Sequence, residues 1–166
     1  GDWSSDVCSS DLNSPHLYNL AWNSAFFWDG RASTLEEQVL HPIQDQNEMD
    51  MNLQELVQRL KDIQGYRLLF QKAYGEGIGI HHIASSLAAF LRSLQSLHSP
   101  FDRYLSGQTG ALGEAAIRGK ALFEGKARCI LCHDGPNLTD NSFHNLGVGS
   151  EDPGRGFVVK IGRAHV

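Results

Sequence analysis

The chain has 166 residues, 41% of them hydrophobic and 20% charged, with a formal net charge of −5. That balance belongs to a folded globular protein, and its mild acidity argues against nucleic acid as a partner. The apolar stretches are short and periodic, so no membrane span is expected.

The two ends are read apart from the rest. Asp6 to Leu12 can be encoded by a DNA string whose reverse complement translates as Lys160 to Val166. The longer form of that string, which resembles a common sequencing adapter, also accounts for Asp2 to Ser5. Residues 1–12 and 160–166 are therefore expected to be non-native, with the native sequence cut at both ends. About 147 residues remain; without Asp2, Asp6, Asp11, Lys160 and Arg163 the net charge is −4. Without Cys8, only Cys129 and Cys132 are left, and no disulfide framework is implied.

In chain order, the periodicity predicts an all-α fold. Ser33-Thr34-Leu35-Glu36 reads as a capping box opening a short helix that Pro42 ends. Asn52 caps the next, with Leu53, Leu56, Val57, Leu60 and Ile63 at helical spacing and Gly65 as the stop. A third helix is predicted from Tyr66 to Ala73. A fourth runs from His81 to Leu97, with Ile83, Leu87, Phe90, Leu91 and Leu94 on one face, closed by Ser99-Pro100. A short turn around Asp102 to Leu105 ends at Ser106-Gly107, and a last helix covers Leu112 to Glu124. Beyond Cys132 the chain is rich in Gly, Asn, Asp and Pro, hence loop. The domain division is expected near Gly107 to Gly113.

Cys129-Ile130-Leu131-Cys132-His133 is a C-x-x-C-H haem-attachment pattern. Two Cys three apart on a helical turn can each form a thioether with one haem vinyl group, and the adjacent His then meets the iron. Upstream, Gly119 permits close helix packing and Phe123 can lie against a porphyrin. A zinc site would need a second ligand pair, and a redox dithiol would sit in a βαβ context. Neither is present, so one covalent haem c on Cys129, Cys132 and His133 is the reading.

Phe27-Trp28-Asp29-Gly30-Arg31-Ala32, Leu35-Glu36-Glu37-Gln38 and Glu48-Met49 resemble the bacterial di-haem cytochrome c peroxidase and MauG family. So do Ser99-Pro100-Phe101-Asp102-Arg103, the haem motif, Gly135-Pro136 and Phe143-His144-Asn145-Leu146-Gly147-Val148. The resemblance implies two cytochrome c-like haem domains, one peroxidatic and one accepting electrons from a small cytochrome c or cupredoxin. It divides the chain into residues 13–110, the helical part of the peroxidatic domain without its haem motif, and 111–159, the start of the second domain. The first haem motif is expected some tens of residues before Trp28.

The same resemblance implies Glu48 as the acid–base group for peroxide, Gln38 as its hydrogen-bonding partner and Trp28 as the indole between the haems. Structurally bland alternatives are a solvated carboxylate, an exposed helix residue and a core aromatic beside Phe26 and Phe27. Asn13 matches a calcium ligand, its amide oxygen suiting a hard cation. Arg31 either meets a haem propionate or pairs with Asp29, and the other histidines, His144 included, are given no ligand role. Three functions follow as expectations. One is periplasmic reduction of hydrogen peroxide to water; the second, a MauG-like oxidation of residues in a partner protein; the third, non-enzymatic multi-haem electron transfer. The second haem's distal ligand, Met in peroxidases and Tyr in MauG, would fall after Lys160. A homodimeric parent is a further implication, and the chain alone is expected to be inactive.

Overall fold

The computed structural model describes residues 14–144, which are helices and turns with no strand. Asn13, the Asn145-to-Val148 part of the family resemblance and both end segments lie outside them. The chain divides into two compact units between Ser93 and Leu94.

The first unit carries α1 (Leu35–Gln38), α2 (Leu40–Gln44), α3 (Leu53–Asp62), α4 (Gln64–Tyr74) and α5 (Ile80–Ser93). Thr34 caps α1, its hydroxyl accepting from Glu37 N, while the Glu37 carboxylate takes the N–H of Ser33 at 2.8 Å. The cap is thus Thr34 instead of Ser33, and the return bond from Glu37 goes to the residue before the cap, so the expected capping box does not form. Pro42 does not end a helix. It sits in the first turn of α2, where a backbone N–H would have no partner within the helix. Asn52 caps α3 as expected, accepting from Gln54 N and Glu55 N. Gly65 is not the stop of α3, which gives way at Ile63; the glycine lies in the first turn of α4.

Helix α5 ends at Ser93, short of the predicted Leu97, and Ser99-Pro100 opens the next helix instead of closing this one. Its inward face agrees at Ile83 and Leu91 and differs elsewhere. Ala84 and Ala88 are buried, whereas Leu87 and Phe90 are exposed. The reason is close approach: Ala88 packs in one cluster with Leu20, Phe26, Ala32 and the fully buried Leu35 of α1. A second cluster joins Phe70, Ile78 and Ile83, covered by Leu56, Val57, Leu60 and Tyr74.

The second unit carries α6 (Pro100–Leu105) and α7 (Glu114–Glu124), with short 3-10 turns at Thr109–Ala111 and Cys129–Leu131. Ser99 and Asp102 form a reciprocal capping box on α6, with Pro100 at the first helical position. The compact unit begins before Gly107 because Phe101 and Leu105 share an apolar wall with α7 and the Cys motif. None of its described residues is fully buried.

Candidate functional site

The C-x-x-C-H segment leaves α7 through a tight turn. Gly125 donates to Ala121 O, and a Cβ there would stand 2.8 Å from that oxygen, so the turn requires glycine. Arg128, at φ 58°, starts the 3-10 turn in which the N–H groups of Cys132 and His133 both return to Cys129 O. Both thiols are free and half-buried. The His133 ring has Nδ1 3.1 Å from Leu138 O. A carbonyl can only accept, so Nδ1–H donates to it and the neutral ring keeps its Nε2 lone pair for a metal.

Beside this turn lies a cavity of about 470 Å³, within the range of cofactor sites. Phe101, Leu105, Leu112, Phe123 and Ile130 supply apolar walls, and His133 the polar group. Phe123 and His133 stand 6.3 Å apart between ring centroids. Gly119 lines the cavity, and a Cβ built on it would meet nothing within 4 Å. Among the described residues no helix packs against it, and the cavity is open at that point. An apolar slot, two free thiols on one turn and an oriented imidazole fit a covalently held haem.

Asp140 completes this region. Its N–H donates to Cys132 O, and its carboxylate lies 2.7 Å from His144 Nε2. Hydrogen bonds from the Ser142 backbone and then His144 hold its carboxyl below the usual aspartate range. His144, left without a role in sequence, is thus placed by Asp140.

In the first unit, Trp28 stands on a short loop pinched by Phe26 N donating to Ala32 O at 2.9 Å. Phe27 and Gly30 take positive φ, 65° and 68°. Arg31 pairs with Asp29 at 3.0 Å and lays its guanidinium 3.7 Å over the Phe27 ring. Of the two partners considered for Arg31, the structure brings Asp29 to it. Trp28 is 67% exposed, so it is not a core aromatic; Phe26 takes that position.

Gln38 is the last residue of α1. Glu48 lies on an exposed turn tied back to α2: Met49 N donates to Pro42 O and Met51 N to Ile43 O. Asp45 organises the turn, its carboxylate accepting from Asn47 N and its carbonyl from the N–H groups of Glu48 and Asp50. Among the described residues, neither the Gln38 amide nor the Glu48 carboxylate has a side-chain hydrogen bond or ion pair. Nor is there a hydrogen bond between the two.

Residues 5–110 match the family model for di-haem cytochrome c peroxidase. The chain belongs to that family. The match reaches back into the segment read above as adapter-derived, and the family implies haem c. Among relatives of this di-haem family member, the methylamine utilization protein MauG of Methylophilus methylotrophus is 46% identical over 91% of the chain and 46% of its own length. That of Methylorubrum extorquens is 48% identical over 86% and 41%. The cytochrome c551 peroxidase of Pseudomonas aeruginosa is 36% identical over 82% and 40%. A crystal structure of a MauG-like protein associated with microbial copper homeostasis aligns with a TM-score of 0.71 and 32% identity, covering 80% of this chain and 40% of that one. The chain spans less than half the length of these relatives, and the all-α fold agrees with theirs. No described helix is long and apolar enough to cross a membrane.

Proposed function

We propose that this chain is part of a di-haem c-type enzyme that reduces hydrogen peroxide to water, taking electrons from a small cytochrome c or cupredoxin in the periplasm. The observation that carries this reading is the pair of unengaged polar side chains, Gln38 and Glu48, each held on ordered backbone beside the Trp28 loop in sequence. A carboxylate serving as proton shuttle needs its oxygens available to substrate, and an amide that orients peroxide needs the same. Glu48 takes a proton from one peroxide oxygen and returns it to the departing one, while Gln38 hydrogen-bonds the bound peroxide. With two electrons and two protons, peroxide gives two waters.

Cys129 and Cys132 would hold one haem through thioethers, with His133 as the nitrogen ligand to its iron. When bound, that group would supply one-electron redox chemistry, and the exposed Trp28 indole would serve as an electron relay. Asn13, outside the described residues, would offer an amide oxygen to a calcium ion. Replacing Glu48 with Gln in the full-length parent is expected to reduce peroxide turnover at least a hundredfold. Unchanged turnover would remove the catalytic role and favour a plain electron-transfer cytochrome.

A second reading, peroxide-driven oxidation of residues in a partner protein, is favoured by the 46% and 48% identities to MauG proteins against 36% to the Pseudomonas peroxidase. The two share the roles of Gln38 and Glu48 and differ in where the electrons originate. Rapid peroxide consumption with a reduced cytochrome c supports the first reading; oxidised side chains on a partner without such consumption support the second.

A further inference from the structure

Away from both regions above, Glu76, His81 and His82 bring three ligand atoms within 4.8 Å of one another. His82 is 4% exposed and rigidly held. The Tyr74 ring stacks on it at 4.3 Å, and the Tyr74 hydroxyl bonds to His82 O and Ser86 Oγ. Both of its ring nitrogens face acceptors: Nδ1 is 2.9 Å from Gly77 O and Nε2 is 3.0 Å from Glu76 Oε1.

A neutral imidazole has one N–H. With that proton on Nδ1 toward Gly77, the Nε2 lone pair faces a carboxylate oxygen, and the two are joined either by a second ring proton or by a metal ion bound by both atoms. A carbonyl on Nδ1 is also the usual outer-shell partner of a metal-bound histidine. His81 stands beside this pair, its ring 3.8 Å from that of His82. Gly79 makes the room. A Cβ there would come within 3.0 Å of the His81 ring.

We propose that Glu76, His81 and His82 form a binding site for a divalent transition metal of the Zn(II) class, with a remaining position open to solvent. Two imidazoles and a carboxylate are a borderline donor set that suits zinc over calcium or magnesium. The first turn of α5 opposes a cation through the helix dipole, and the Glu76 carboxylate offsets that charge.

The test is calorimetric titration of the full chain with Zn2+ alone, alongside Glu76→Gln, His81→Ala and, as a control for the haem region, His144→Ala. The expected result is a saturable site whose affinity falls at least tenfold in both Glu76→Gln and His81→Ala and persists in His144→Ala. A smaller loss in either of the first two, loss in His144→Ala, or no saturable binding would overturn the proposal. The last outcome would mean that a proton alone joins His82 to Glu76. Nitrogen-15 spectra of the histidine rings give a reading without any substitution: Zn2+ should shift His82 Nε2, and an unmoved resonance contradicts the site.

Discussion

Arg92 donates two hydrogen bonds to the carboxylate of Glu36, at 2.6 and 2.8 Å, across 56 positions of sequence. The pair fastens α1, which ends in Gln38, to the C-terminal turn of α5. The Arg92 side-chain bonds hold the Glu36 carboxyl below its ordinary 4.5. A lowered carboxylate pKa contributes stability above the unfolded value and loses it as pH falls through the folded one. The pair is well solvated, so Glu36→Gln is expected to cost only about 0.5–1 kcal/mol at pH 7. In urea unfolding, the difference from wild type should shrink as pH falls from 4.5 through the lowered folded-state value, where Glu36 protonates.

The Trp28 loop rests on Gly30 at φ 68°. An L-residue there pays the left-handed penalty, so Gly30→Ala should destabilise the chain by about 1–2 kcal/mol. Thermal unfolding measures the loss. An unchanged midpoint would mean that the loop is not held in this conformation.

Gly119 and Gly125 make opposite predictions on one helix. At Gly119 a Cβ meets nothing within 4 Å, so Gly119→Ala should stabilise α7 by about 0.5–1 kcal/mol. Gly119→Phe would fill the cavity and should lower haem incorporation while leaving helicity intact. Gly125→Ala meets Ala121 O at 2.8 Å and should disorder the turn into the Cys motif, lowering haem attachment by a different route. Circular dichroism with haem content separates the two.

Leu35 is fully buried between the Trp28 loop and α5. Leu35→Ala should cost about 2–5 kcal/mol, read as a lower urea midpoint. A loss below 1 kcal/mol would show that α1 is not packed as described.

Much of this was legible in sequence because it rests on local rules. Asn52 capping α3 and the C-x-x-C-H turn need only neighbours three or four residues away. Pro42 and the Ser99-Pro100 pair were misread as stops because a proline marks a helix start as well as an end, and the flanking residues do not decide which. On the inward face of α5, Ile83 and Leu91 pack as expected, and the rest departs from the pattern for a tertiary reason. The larger side chains Leu87 and Phe90 signal burial, but close approach of Leu35 selects the small Ala88. The His82 ring, buried under Tyr74 and joined to Glu76, gave no sequence signal because its partners come from a loop and from a preceding helix.

The central claim is that Cys129, Cys132 and His133 hold a covalent haem in the slot beside Gly119. Intact-mass analysis of the chain, produced in cells with haem-attachment machinery, tests it most directly. One haem added per chain, lost in a Cys129→Ser/Cys132→Ser variant and giving a c-type alkaline pyridine spectrum, is the predicted result. Both cysteines unmodified, with no haem spectrum, would contradict it.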